Sequence, residues 1–353
     1  MDNIFIKFHI KTKLFFVIIF FYFVFYNYKR LLKKKKIGII SVRSEVNIGN
    51  NLVKYSISQK LKELGFIPYI IGTLRKGSNV TFLNESTNLI IIKKNFSEIK
   101  YNEYDILMVN SDQTWNKYDN NFYDYGFLKF AENWTIPRFA YGASYGDKWV
   151  LNKEDELIAK NLLKKFIGIS VRERSAIEIL QKKLNINAIH VLDPTLLLNK
   201  KDYLKLINNY KSNISINENY IFSYIISPTE IKLNIVKEIA LRLNYNVYFV
   251  LLEKNSSIQK FIYLISNCKA VITNSYHGTI FSIIFNKPFI VFGNPKAKRF
   301  ESLDAIFNIK SRFINAHKIP DLSLLKSPLK INKILLNSLK KNSLIFLKKI
   351  YKY

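Results

Sequence analysis

The chain of 353 residues has one cysteine, four histidines, nine arginines and only 26 acidic side chains. A single thiol, Cys268, excludes a disulfide framework within the chain, and one Cys with four scattered His leaves no cluster at structural-zinc spacing. The few acidic residues form no compact group with divalent-ion spacing, so no metal is expected. No alanine occurs before Ala131, which argues against a signal peptide cleaved at a small-residue site. Nor is the chain poor in apolar residues. At 48% hydrophobic and 15% aromatic it cannot be disordered over most of its length. What is present is room for two domains of ordinary size, each with its own core.

Against the 26 acids stand 55 Lys and Arg, a formal charge of +29. Residues 1–36 carry +8 of this, residues 322–353 another +8, and the 285 residues between them the remaining +13. Lysines outnumber arginines by 46 to 9. Base readout and phosphate clamping lean on Arg, and no recognition motif for nucleic acid is present, so a general bias toward Lys is the preferred reading and nucleic acid is not expected as a partner. A non-catalytic, charge-driven surface or nucleic-acid binder remains the third-ranked alternative.

The N-terminus carries a membrane signal. Residues 14–26 (LFFVIIFFYFVFY) are an unbroken apolar and aromatic run, about 20 Å of helix at ~1.5 Å per residue, against roughly 30 Å of hydrocarbon. The run spans only if extended back to Ile4 with Lys7, His9, Lys11 and Lys13 snorkelling. Three lysines precede it, whereas Lys29, Arg30 and Lys33 to Lys36 follow it. That bias, with the affinity of a basic block for anionic headgroups, places the body on the cytoplasmic face of the inner or plasma membrane, whether the segment spans or lies in the interface.

The body reads as an α/β fold. The run IGIISV at 37–42 is followed by the loop EVNIGNN and by Leu52, Tyr55, Leu61 and Leu64 at helical spacing, closed by Gly65. Strands are expected at 68–72, 89–92, 105–109, 138–143, 167–171 and 188–192, with helices at 153–166 and 175–184. Composition turns to Asn, Ser and Lys near 204–218, a linker. A second series follows: strands at 220–226, 247–252, 270–273 and 288–292, helices at 231–243, 258–267 and 279–285. Two Rossmann-like domains facing across a cleft, at 37–203 and 220–325, with a linker at 204–219 and a basic amphipathic helix within 326–353, complete the expected architecture. Ile331, Leu335, Leu339, Phe346 and Ile350 approximate that helix's apolar face.

Ligands in such sheets collect at the carboxyl ends of strands, and four loops there carry chemistry. In the first, Asn47, Gly49 and Asn50 lead into a helix whose free N–H groups suit an anion. In the second, Ser111, Asp112 and Gln113 stand beside Trp115, an arrangement that holds a sugar by hydrogen bonds and ring stacking or simply caps a loop. In the third, Arg172 and Arg174 flank Glu173. Arg binds carboxylate or phosphate bidentately, and an internal Arg–Glu pair is the equal alternative. The fourth joins the strand at 270–273 to the next helix through Ser275, His277, Gly278 and Thr279, which set a titratable imidazole beside hydroxyls and backbone donors. His9, His190 and His317 are read as structural.

The blocks NIGNN (47–51), SDQTWN (111–116), YGASYG (141–146), ISVRERSA (169–176), VLDPTLLL (191–198) and VITNSYHGTIFSIIFNKPFIVF (271–292) resemble, in this order, the polysaccharide pyruvyl transferase family. The resemblance covers roughly residues 37–347. It implies a fold similar to GT-B glycosyltransferases, and transfer of an enolpyruvyl unit from phosphoenolpyruvate to a sugar of a surface polysaccharide, or its lipid- or nucleotide-linked precursor, as a ketal. It implies His277 and Arg172 as catalytic residues, with Asn47, Gly49, Asn50, Ser111, Asp112, Gln113, Ser144, Ser275, Gly278, Thr279 and Arg299 binding substrate, and no cofactor beyond phosphoenolpyruvate as co-substrate. Asp193, beside Pro194, is read as a turn residue. Asn110 and Asn274 depart from the family pattern, where Gly and Asp are common. The runner-up reading is a GT-B glycosyltransferase using a nucleotide sugar.

Overall fold

A computed structural model describes residues 34–41, 47–72, 90–93, 95–117, 122–212, 219–251, 257–315 and 317–353. The expected membrane run at 14–26 lies outside the described residues. Among those described, no helix is long and apolar enough to cross a membrane.

The first sheet contains β1 (Lys36–Ile40), β2 (Ile67–Gly72), β3 (Ile90–Lys93), β4 (Ile106–Val109), β5 (Arg138–Ala143), β6 (Gly168–Val171) and β7 (Ile189–His190). All seven pair in parallel in the order β3-β2-β1-β4-β5-β6-β7. Isoleucine, valine and aromatic residues make up about half of their positions, and the apolar runs are near-continuous in β2 to β4, as expected of strands covered on both faces. Connecting helices include α1 (Ile48–Glu63), α2 (Phe122–Phe127), α3 (Lys153–Leu163), α4 (Ser175–Leu184) and α5 (Lys200–Leu204). The second sheet holds β8 (Tyr220–Ile225), β9 (Asn246–Leu251), β10 (Ala270–Thr273), β11 (Phe289–Phe292) and β12 (Phe313–Ile314), parallel in the order β12-β11-β10-β8-β9. Its helices are α6 (Glu230–Leu243), α7 (Ile258–Asn267), α8 (Tyr276–Ile284) and α9 (Lys298–Phe307), and the chain closes with α10 (Lys333–Lys348).

The inner faces of the two sheets share one continuous apolar cluster, running from Ile37, Leu52 and Ile106 through Tyr203 to Phe222, Phe261, Phe281 and Val291. α1 lies in the middle of it. That position explains why Ile48 to Ser58 are all buried, including Asn50, Asn51, Lys54, Ser56 and Ser58. Beside this seam Ser56 Oγ meets Tyr203 Oη at 2.8 Å, and across it the Tyr203 ring packs edge-on against Phe281.

Two expectations need correction. The linker expected from Leu204 does not begin there: α5 runs through Leu204 and a 3₁₀ turn continues it over Lys205–Ile207, because buried Tyr203 and Leu206 anchor it; residues 213–218 lie outside the described residues. The helix expected from 279 starts at Tyr276, since Ser275 caps it by accepting from Gly278 N at 3.3 Å. The apolar stripe of α10 packs back on the body, and it does so on the first domain. Phe346 meets Phe139 and Tyr141, and Ser343 Oγ accepts from Leu192 N at 3.0 Å.

Candidate functional site

Each sheet reverses its strand order once, between β1 and β4 and between β8 and β10. Such switch points open a crevice outside the carboxyl ends of the strands. Here the two crevices face each other, and side chains from both domains meet between them.

After β1, Asn47 caps α1 by accepting from Asn50 N at 3.0 Å, and Asn50 Nδ2 in the first turn donates to Asp112 Oδ2 at 3.0 Å. Asp112 follows β4 with a backbone φ of 90°, a conformation that costs a residue with a Cβ about 1–3 kcal/mol and recurs at functional sites. It is held there by Ser144 N and Thr114 N donating to its carbonyl, at 3.1 and 2.7 Å. From the second domain, His277 in the first turn of α8 lies directly against Gly49. A Cβ at Gly49 would sit 2.2 Å from His277 Nδ1 and 2.5 Å from Cγ, so only glycine admits the imidazole to the α1 backbone.

One carboxylate oxygen ties the two catalytic candidates together. Asp193 Oδ2 is 3.3 Å from Arg172 Nη1 and 3.6 Å from His277 Nε2, while Oδ1 accepts from Thr195 N and Oγ1 at 3.0 and 2.6 Å. Arg172 also reaches Asp112 Oδ1 at 3.5 Å through Nη1, Glu173 Oε1 at 2.8 Å through Nε, and Ser144 Oγ at 3.4 Å through Nη2. Its guanidinium lies 4.5 Å over the Tyr276 ring. The internal Arg172–Glu173 pair is therefore real, and it belongs to a larger cluster of three carboxylates, one guanidinium and one imidazole.

The sequence matches the profile of the polysaccharide pyruvyl transferase family over residues 47–296. The chain belongs to that family. No curated protein matches the sequence. Among solved structures, a UDP-GlcNAc 2-epimerase from Methanocaldococcus jannaschii aligns with a TM-score of 0.56 at 14% identity, covering 90% of this chain and 99% of the other. A putative UDP-N-acetylglucosamine 2-epimerase from Listeria monocytogenes aligns at 0.50 and 12% identity, covering 91% and 97%. At this identity the likeness is one of fold: two facing parallel-sheet domains in the GT-B-like arrangement.

Within this pyruvyl transferase family member, burial differs sharply around the cluster. The side chains of Arg172, Glu173 and Asp193 are at most 2% exposed and His277 is 8% exposed, whereas Asp112 is 20% exposed. Asp112 is thus the cluster's opening to solvent. Burial opposes ionisation of all three carboxyls, but the outcomes diverge. At Asp193 burial is overcome by the imidazole of His277 close by, with the Arg172 guanidinium and the Thr195 hydroxyl, which hold the carboxyl far below the usual range. At Asp112 burial is likewise overcome, by Arg172, His277 and the Asn50 hydrogen bond. At Glu173 burial prevails despite Arg172, and the carboxyl is pushed up. Glu173 Oε2, Asn50 Oδ1 and His277 Nε2 are buried without a hydrogen-bond partner. Such atoms in a satisfied interior leave capacity for a ligand or a transferred proton.

The remaining candidates divide. Ser275 caps α8, Thr279 Oγ1 donates to Ser275 O at 3.0 Å, and Gly278 leaves room for Thr273 Oγ1, 2.3 Å from where a Cβ would stand. These three build the loop that carries His277. Ser111 is fully buried and donates to Gly142 O at 2.8 Å, so its hydroxyl is committed. Gln113 is half-buried beside Asp112, to whose Oδ1 its backbone N donates at 3.0 Å. Arg299, near the start of α9, is partly exposed, with Nη2 3.7 Å from Asp147 Oδ2 across the cleft and Nε buried and unpartnered. Trp115 corrects the sugar-stacking alternative: it is 1% exposed, donates to Gly126 O at 2.8 Å and stacks on Phe127, so no ring face reaches the cleft. Asn274 ties the loops at the second switch point, bonding Ile226 N and O at 2.7 and 2.6 Å. Asp193, Glu173 and Tyr276 pack into the same cluster, although sequence reasoning gave them no part in it beyond the local Arg172–Glu173 pair.

Proposed function

We propose that the protein transfers a pyruvyl group from phosphoenolpyruvate onto two hydroxyls of a sugar, forming a ketal on a surface polysaccharide or its lipid- or nucleotide-linked precursor. The observation that carries this reading is the meeting of His277, from one domain, with Asp193 and Asp112, from the other, in the cleft of a polysaccharide pyruvyl transferase family member. The chemistry needs only proton movement and charge stabilisation. Phosphoenolpyruvate gains a proton on its methylene carbon, both sugar hydroxyls bond to the neighbouring carbon, and phosphate leaves. Of the two hydroxyl protons released, one ends on the new methyl group and the other on phosphate, so an acid–base shuttle suffices and no cofactor is required.

Asp112, the most exposed member of the cluster, with Asn50 and Gln113 beside it, receives the acceptor hydroxyls and serves as base. His277 moves the second proton, its Nε2 held toward Asp193. Arg172 offers no free edge while it holds three carboxylates, so a donor anion reaches it when Asp112 turns to the sugar and gives up its place on the guanidinium. The first turn of α8 and Arg299 supply further positive potential. Attachment of residues 1–36 at the cytoplasmic face of the membrane would bring the enzyme to a membrane-linked acceptor.

The test is protection of the purified protein against heat unfolding, with phosphoenolpyruvate and UDP-GlcNAc added separately. Phosphoenolpyruvate is expected to raise the midpoint. Stabilisation by the nucleotide sugar alone would sink the proposal in favour of a glycosyltransferase on the same two-domain scaffold.

A further inference from the structure

A second cavity, of about 620 Å³, opens at the carboxyl edge of the second sheet, where β11 and β12 end. Phe292, Gly293 and Pro295 line it from the end of β11, Phe313 to Asn315 and His317 from β12 and beyond, Lys310 from the turn before β12, and Lys232 from the first turn of α6. Among the described residues, its polar side chains are those of Lys232, Lys310, His317 and Asn315, with no carboxylate among them. That is the reverse of the cleft cluster, where three carboxylates surround one guanidinium. Lys310 is also fixed at its base, its backbone N donating to Asp304 Oδ1 at 2.7 Å, so its ammonium arm starts from a rigid point. The volume falls within the ~300–1,000 Å³ of small-molecule sites and equals roughly twenty waters at ~30 Å³ each. A lone phosphate would leave most of it empty. The walls of Phe292, Pro295, Phe313 and Ile314 suit an apolar or planar body attached to the anion.

We propose that this pocket binds a diphosphate ester, the phosphorylated end of the carrier on which the acceptor sugar is presented. The inference rests on the pyruvyl-transfer reading for the identity of the carried group, but not for the pocket's charge and shape. The strand that leads to His277, β10, pairs directly with β11, so pocket and cleft are neighbours along one sheet edge. A sugar entering the cleft can keep its carrier phosphates on Lys232 and Lys310. The same chemistry could come from a sugar nucleotide or from a lipid diphosphate.

Isothermal titration of the full-length protein in detergent with UDP, geranyl diphosphate and pyrophosphate tests this. At least one of the two esters should bind more tightly than pyrophosphate, should weaken tenfold or more in a Lys232→Met/Lys310→Met variant with an unchanged circular dichroism spectrum, and should keep its affinity at saturating phosphoenolpyruvate. Preference for UDP assigns a nucleotide carrier, and preference for geranyl diphosphate a lipid carrier. Binding by neither ester, equal binding by the double variant, or displacement by phosphoenolpyruvate overturns the proposal. Because the titration involves no transfer, a protein that ignores phosphoenolpyruvate yet binds an ester through these lysines would sink the pyruvyl reading and leave the pocket standing.

Discussion

Gly49 and His277 fix each other. In an ordinary helix Gly→Ala gains about 1 kcal/mol, but here the added methyl would meet the imidazole at 2.2 Å, and overpacking of this kind costs about 1–3 kcal/mol. Gly49→Ala is therefore expected to lower stability in urea unfolding and to cut the transfer rate at least tenfold by displacing His277; a stabilised, fully active variant would show that the contact is not made. His277→Ala should lose about 10²–10⁴ of rate, the usual worth of a positioned acid–base group, while an unchanged circular dichroism spectrum shows that the fold is kept. The buried carboxyls give opposite pH signatures. Asp112 and Asp193, held below their unfolded values, stabilise fully above pH ~4 and lose that contribution as pH falls through their folded values. Glu173, raised by burial, does the reverse: stability declines as pH rises from about 4.3, its unfolded value, through the higher folded one. Glu173→Gln keeps an acceptor for Arg172 Nε and removes this cost, so the variant should unfold at a higher temperature than wild type at pH 8 and at an equal one near pH 4. At this scale the sequence was half legible. Asp112, Arg172 and His277 stand out because chemistry-bearing residues at strand ends are few. Asp193 and Glu173 do not, because a carboxylate beside Pro194 or Arg172 looks like a cap or a local pair until the residues brought to it by the other loops are known. Trp115 misled for the same reason: polar neighbours in sequence do not say whether a ring faces cleft or core.

Elements were read more reliably than their ends. The alternation of apolar runs with helical spacing follows from the period of each structure, so the parallel sheets could be expected before any contact was known. Boundaries turned on single side chains. Ser275 starts α8 three residues earlier than its apolar spacing suggests, and buried Leu206 keeps helical turn where composition reads as linker. The apolar stripe of α10 was visible, with Phe346 and Ile350 buried as expected and Leu347 added to them, but its docking on the opposite domain was not, since nothing local encodes a partner so far along the chain. That docking carries a prediction. Phe346→Ala removes a ring packed on Phe139 and Tyr141 and should cost about 3–5 kcal/mol, lowering the denaturant midpoint of the whole protein. Loss confined to the second domain, seen by limited proteolysis, would mean that α10 does not brace the first sheet.

Over the whole molecule, charge and chemistry are separated. The net charge of +29 sits largely at the two ends, whereas the cleft cluster sets three carboxylates against Arg172. Attraction of a trianionic donor must then come from the field of the molecule more than from the residues it touches, and such fields fade beyond about 10 Å at 0.1 M salt. The KM for phosphoenolpyruvate is expected to rise several-fold between 20 and 300 mM salt with kcat nearly constant; a salt-independent KM would place the attracting charge inside the cleft. The same separation bears on membrane attachment. If the N-terminal basic block anchors the enzyme, full-length protein should sediment with vesicles containing anionic lipid. A chain starting at Lys34, which loses the apolar run with Lys29, Arg30 and Lys33 but keeps Lys34 to Lys36, β1 and the C-terminal lysines, should then stay in the supernatant, because three lysines without the apolar run hold a membrane too weakly. Co-sedimentation of both forms would move the membrane contact to α10, whose Lys333, Lys341 and Lys348 are exposed.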